Sequence, residues 1–348
     1  MKISVYTIAK DEEQFVSRWM KSASAADTIH ILDTGSSDHT VALARDLGAD
    51  VQVKTFSPWR FDYARNAALA MVPDDTDICI ALDMDEVLVD GWRDHLEQAI
   101  RDGVTRPRYQ YTWSWQRPGV PGLQYGGDKI HARHGYVWKH PVHEVLRPLG
   151  DERQGWYGLE IHHHPDSSKS RSQYLPLLEL AVMEDPDDDR NAHYLAREYF
   201  YAGRLSEAEA EFKRHLALPS AVWAPERAQS YRYLYKITKD QYWLHQAIEI
   251  APDRREAYVD LAQHNHDNSE WDQCLIAAKS ALRIKDRPLE YLTEEFAWGA
   301  LPHDLAAIAA YRMGYFHEAQ YHGMEAVKLS PYDQRIVDNY GWYAEAAA

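Results

Sequence analysis

Residues 78–86 read ICIALDMDE. Ile78, Cys79, Ile80, Ala81 and Leu82 form an unbroken apolar run suited to a fully buried strand. Asp83, Asp85 and Glu86 then arrive within four residues. Carboxylates at i and i+2 of an extended segment point the same way, and their repulsion calls for a cation between them. An isolated acidic triplet is more commonly a solvated surface turn, so the segments around this one decide its reading.

Those segments alternate between strand and helix patterns. KISVYTIA (2–9), TIHILDTG (28–35), DVQVKTF (50–56) and DICIALD (77–83) have the β-branched, apolar character of strands. Between them, DEEQFVSRWMKSA (11–23) sets Phe15, Trp19 and Met20 on one helical stripe. DHTVALARDLGA (38–49) is bracketed by Asp38 as N-cap and Gly48 as stop, and FDYARNAALAMV (61–72) is a third helix. The β-α-β-α-β-α-β order predicts a mainly parallel sheet with helices on both faces, and such sheets bind ligands at the carboxyl ends of their strands. Polar clusters at Thr7–Glu13, Asp33–Asp38, Ser57–Asp62 and Asp83–Glu86 would converge there.

The pattern turns wholly helical near residue 170, and it repeats. Ala196, Leu205 and Ala208 share their spacing with Ala262, Trp271 and Cys274, and with Ala307, Phe316 and Ala319. Small residues let two antiparallel helices approach, and the large one fills the turn. Gly203 and Gly314 sit at one phase of this repeat. The pattern resembles tetratricopeptide repeats, with a degenerate unit near 225–252. An irregular helical bundle is the plainer alternative.

The formal net charge of −16 argues against a general nucleic-acid coat protein. Residues 101–156 are the exception, with nine basic against five acidic residues and eight Trp or Tyr. This island reads either as an acceptor or phosphate contact or as strands with a solvated face. Two cysteines, Cys79 and Cys274, make no disulfide framework. The opening MKISVYTIAKDEE carries no signal-peptide pattern, and no apolar stretch reaches the ~20 residues of a membrane span. A cytoplasmic protein without a membrane span is expected.

TIAKDEE, LDTGSSDHT, FDYARNAAL, ALDMDE and HPVHE, in this order, resemble the GT-A glycosyltransferases of the large inverting family 2, whose small bacterial members carry tetratricopeptide repeats. The resemblance spans residues 1–170 and implies an α/β GT-A domain there, with the helical repeats at 171–348. It implies transfer of a sugar from a nucleotide donor, expected to be a UDP-sugar, with Mg²⁺ or Mn²⁺ held by Asp83 and Asp85. Thr7, Ala9 and Glu12 would border the base, Asp33 would accept from its imide nitrogen, and Arg65, Asp83 and Met84 would lie beside the nucleotide. Glu144 of HPVHE would be the catalytic base, although many relatives place an acid pair where this chain has His143–Glu144; its plainer reading is a pair with Arg147. His163 of EIHHHPD would be a further metal ligand, with His162 and His164 as the competing choices. Gly126 and Gly127 would suit a loop near the donor sugar.

The acceptor stays open between a glycan or polypeptide hydroxyl or thiol and a modified DNA base stacked in the basic, aromatic island, where Arg106 and Arg117 would contact it. The repeats would offer protein contacts. An inactive nucleotide-binding scaffold is the alternative from a different class.

Overall fold

The structure, a computed structural model, describes residues 1–117, 119–166 and 173–348. It divides into two compact units, Met1–Met183 and Glu184–Ala348. The boundary expected at 170/171 lies outside the described residues.

The first unit runs β1 (Ile3–Ala9), α1 (Glu13–Ala23), β2 (Thr28–Asp33), α2 (Thr40–Asp46), β3 (Asp50–Val53), α3 (Phe61–Met71), β4 (Ile78–Ala81), β5 (Glu86–Leu88), α4 (Trp92–Arg101), β6 (Arg106–Thr112), β7 (Trp115–Arg117), β8 (Val120–Pro121), β9 (Gln124–Gly127), β10 (Ile130–Ala132), β11 (Tyr136–Lys139), β12 (Val145–Pro148), β13 (Gln154–His163) and α5 (Tyr174–Glu184). The main sheet has the order β10-β4-β1-β2-β3. Its four expected strands are mutually parallel, and β10 adds antiparallel to β4. Strand alternation splits the apolar run of β4 between two cores. Ile78, Ile80 and Leu82 pack with Phe15, Trp19 and Met20 of α1, whereas Cys79 and Ala81 share a core with Ala68 and Leu69 of α3. A strand covered on both faces has no polar face, which is why β4 reads as continuous rather than alternating.

A second sheet has the order β5-β13-β6-β9. Its register sets His163 opposite Glu86 and so returns the chain to the end of β4. Gly127 of β9 allows this sheet to close, because a Cβ there would lie 2.0 Å from the Tyr109 ring.

The second unit is helical: α6 (Asp189–Tyr201), α7 (Leu205–Ala217), α8 (Ala224–Thr238), α9 (Tyr242–Ile250), α10 (Arg255–Asp267), α11 (Trp271–Arg283), α12 (Glu295–Trp298), α13 (Leu301–Arg312), α14 (Phe316–Leu329) and α15 (Gln334–Ala347). The expected small residues Ala196, Ala208, Ala262, Cys274, Ala307 and Ala319 are all fully buried. Leu205, Trp271 and Phe316 each begin the second helix of a hairpin. Gly203 and Gly314 have left-handed backbones (φ 74° and 78°), and Ser269 takes that conformation at the same phase (φ 60°). Among the described residues, no helix is long and apolar enough to cross a membrane.

Candidate active site

A cleft of about 860 Å³ opens where the parallel strands end. Ile8 and Ala9 from β1, Thr34 after β2, Thr55 after β3 and Asp83–Asp85 after β4 all reach it. This is the location that strand direction dictates for a ligand crevice in an open α/β sheet.

The acidic cluster after β4 is largely neutralised by the protein itself. Lys129 Nζ donates to Asp83 Oδ2 at 2.8 Å and to Glu86 Oε1 at 2.6 Å. Arg65 Nη2 lies 2.5 Å from Asp83 Oδ1. Glu86 also accepts from the Tyr111 hydroxyl and from the Asp83 backbone N–H. Burial works against the charge on Asp83, but Arg65 and Lys129 outweigh it and hold its pKa well below the usual carboxylate range.

Arg65 also donates from Nε to Glu144 Oε1 at 2.8 Å, so one guanidinium spans the strand-end acid and the residue expected to be the base. Its Nη1 is buried and has no hydrogen-bond partner among the described residues. The Trp138 ring lies 5.3 Å from the guanidinium carbon. That ring is itself anchored: Trp138 Nε1 donates to the Tyr6 hydroxyl, which bonds His131 Nε2 at 2.9 Å.

Asp85 differs from its neighbours. Its Oδ2 lies 3.3 Å from His163 Nε2. His163 Nδ1 bonds the Trp113 carbonyl at 3.0 Å, and the ring stacks on Trp113 at 4.2 Å. A backbone carbonyl only accepts, so it fixes the proton on Nδ1 and leaves Nε2 with a lone pair facing Asp85 when the ring is neutral. Such outer-shell support is usual for a metal-ligating histidine. Asp85 and His163 therefore fit a divalent cation. Asp83 fits one less well, because both its oxygens already meet cationic side chains.

The wall of the cleft includes Ala9, Glu12, Arg65, Asp83, Met84, Asp85, Glu144 and His163. Two expected residues lie behind it. Thr7 is fully buried in β1, and its hydroxyl bonds the Ile8 carbonyl. Asp33 is 1% exposed, and its carboxylate accepts from the backbone N–H groups of Gly35 and Ser36 and from the Ser36 hydroxyl. Thr7 thus lies within the sheet and Asp33 holds a turn, and neither lines the cleft in this structure. Glu144 pairs with Arg65 at 2.8 Å. His162 bonds Glu160, which removes it from the set facing Asp85. Arg106 is 5% exposed and bonds Glu152 and the carbonyls of Asp128 and Leu146, so it is a buried anchor and not an acceptor contact. Gly126 and Gly127 make room for Trp156 and Tyr109 rather than forming a sugar loop.

Sequence reasoning missed Lys129 and the lining aromatics Trp59, Phe61 and Tyr174. Lys129 precedes β10, and only the antiparallel pairing of β10 with β4 carries it to Asp83. Periodicity offers no signal for that. The aromatics did have one, since Trp59 and Phe61 lie inside the polar cluster at Ser57–Asp62.

Residues 4–124 match the family described as Glycosyl transferase family 2, and that stretch lies within the first unit. A relative from Rhizobium meliloti (strain 1021), the lipopolysaccharide core biosynthesis glycosyltransferase LpsC, is 26% identical over 180 residues, covering 47% of this chain and 64% of that protein. The chain thus spans somewhat less than two thirds of that relative's length. Among solved structures, a crystal structure of MamA is 17% identical, with a TM-score of 0.37, over 46% of this chain and 89% of that one. A thermophilic TPR protein of Thermus thermophilus, TTC0263, is 21% identical, with a TM-score of 0.32, over 50% of this chain and 88% of that one.

Proposed function

We propose that this chain is a metal-dependent inverting glycosyltransferase that moves a sugar from a nucleoside diphosphate donor to a hydroxyl or thiol of a glycan or polypeptide. The observation that carries the reading is the approach of His163 Nε2 to Asp85, 3.3 Å apart at the end of β4, with Asp85 inside the stretch that matches family 2. A Mn²⁺ or Mg²⁺ ion there would neutralise charge that grows on the leaving diphosphate. The buried, unpartnered Nη1 of Arg65 supports an anionic or oxygen-rich ligand on the same wall. Glu144, oriented by Arg65, would take the acceptor's proton as its oxygen attacks the anomeric carbon from the face opposite the leaving group. The stacked Trp113 and His163 would keep the Nε2 lone pair aimed at Asp85.

The sequence-based ground for uridine was Asp33, and that carboxylate is engaged by the 35–36 turn. The donor base is therefore left to a screen. LpsC, by its name, acts in lipopolysaccharide core biosynthesis, which makes a glycan hydroxyl the first acceptor to try.

The test is a thermal-shift and hydrolysis screen of UDP-, GDP- and dTDP-sugars with and without Mn²⁺. One donor class should raise the melting temperature with Mn²⁺, because it binds the folded state only. Asp85→Ala and His163→Ala should each abolish the metal-dependent part. A shift of equal size in both variants would refute the metal assignment, and no shift or hydrolysis with any donor would refute the enzyme reading.

A further inference from the structure

Three helices of the second unit converge on a second polar cluster. Asp189 is the first residue of α6, His215 lies in the last turn of α7, and Glu226 lies in the first turn of α8. Their ligand atoms all fall within 4.8 Å of one another. His215 is fully buried and Glu226 is 3% exposed.

Hydrogen bonds through the cluster settle where the protons sit. Gln229 presents its amide oxygen to His193 Nε2, and an amide oxygen only accepts. His193 Nε2 therefore donates to Gln229 Oε1 at 2.9 Å, which leaves Nδ1 of the neutral ring as an acceptor. His193 is fully buried and its two ring nitrogens meet the uncharged Ser230 hydroxyl and Gln229 amide, which favours the neutral ring. The Ser230 hydroxyl donates to His193 Nδ1 at 2.8 Å. The same hydroxyl must then accept from His215 Nδ1, 2.9 Å away. The proton of a neutral His215 is thus on Nδ1, and its Nε2 carries a lone pair.

That Nε2 has no hydrogen-bond partner among the described residues. It points at Glu226 Oε1 across 3.7 Å. A lone pair facing a carboxylate oxygen inside a protein is repulsive unless a cation lies between them. Asp189 adds a second carboxylate, its ligand oxygen within 4.8 Å of those of His215 and Glu226. The Tyr291 hydroxyl donates to Glu226 Oε2 at 2.8 Å and orients the carboxylate.

We propose that Asp189, His215 and Glu226 form a divalent-metal site of zinc type that ties together the first three helices of the repeat unit. One imidazole nitrogen and two carboxylates suit a tetrahedral zinc with a fourth position for water. Donor atoms around such an ion stand about 3.4 Å apart, given metal–ligand bonds of roughly 2.0–2.1 Å, so the 3.7 Å gap needs little closing. Ser230 and His193 act as the outer shell that fixes the His215 tautomer. The competing arrangement puts a second proton on His215 and leaves a bare imidazolium–carboxylate pair.

The test uses the full chain with Asp85→Ala, so that an ion in the cleft does not count. Protein stripped with chelator is reloaded with Zn²⁺, desalted and assayed for metal. One zinc per chain is expected in the Asp85→Ala protein, and a Co²⁺-loaded sample should show tetrahedral absorption. Adding His215→Gln or Asp189→Asn should remove both signals while circular dichroism stays helical. Asp189 is half-buried at a helix start, so Asp189→Asn decides the matter if His215→Gln fails to fold. A chain that retains no stoichiometric zinc, or one that still holds it with Asp189→Asn, overturns the site.

Discussion

Arg65 Nε donates to Glu144 Oε1 at 2.8 Å. With Nη2 of the same guanidinium on Asp83, a single residue of α3 links the end of β4 to the segment that carries the proposed base. The carboxylate of Glu144 is thereby held in one orientation before any acceptor arrives.

Glu144→Gln should separate binding from chemistry. A glutamine Oε1 still accepts from Arg65, so the fold and donor binding should persist. The side chain no longer takes a proton, so transfer should fall by a factor on the order of 10²–10⁴. Donor titration alongside steady-state rates checks this, and near-native turnover would move the base elsewhere.

Arg65→Met should cost stability even without ligand. It leaves Asp83 with Lys129 alone and removes the charged partner of a mostly buried Glu144. Breaking one side of a buried ion pair typically costs about 3–5 kcal/mol. Asp83 keeps a third of its side chain exposed, so the lower end applies. Arg65→Lys should recover only part of this, because an ammonium cannot fork between two carboxylates. Urea unfolding of the three proteins measures the difference.

Ser269→Gly should stabilise the second unit. Ser269 stands at φ 60°, where the neighbouring hairpins use Gly203 and Gly314. A side chain costs roughly 1–2 kcal/mol in that conformation, and glycine returns some of this as unfolded-state entropy. The net gain should be about 0.5–1 kcal/mol in unfolding experiments, whereas Gly203→Ala and Gly314→Ala should each destabilise.

Acid should weaken the first unit through His131. This fully buried ring bonds the Tyr6 hydroxyl and the Ala132 carbonyl, and burial pulls its pKa down to about 3. The unfolded chain takes up a proton near pH 6.5 and the folded chain does not. Stability is therefore full above pH 6.5 and declines as pH falls from there toward 3. At pH 5 the loss from this ring should be about 2 kcal/mol relative to pH 7.5. His131→Gln should flatten the profile over that range, and an unchanged slope would assign it to other groups.

Local pattern in the chain was enough to determine the architecture. The apolar continuity of 78–82, the strand–helix alternation before it and the recurring Ala/large/Ala spacing after residue 170 each reflect neighbours a few residues apart, where period and burial are directly coupled. The same pattern led to the acids after β4, because strand ends in a parallel sheet share one edge, whereas Glu144 and His163 were expected only from the resemblance to family 2. Tertiary structure alone decided the electrostatics of that edge. Lys129 reaches Asp83 through the pairing of β10 with β4, His163 reaches Asp85 through the pairing of β13 with β5, and Arg65 reaches Glu144 across 79 residues of chain. It also withdrew Asp33 into a turn and Arg106 into the interior. Charge pairing at 2.5–3.3 Å depends on the final register of distant strands, and no local period of the sequence encodes that register.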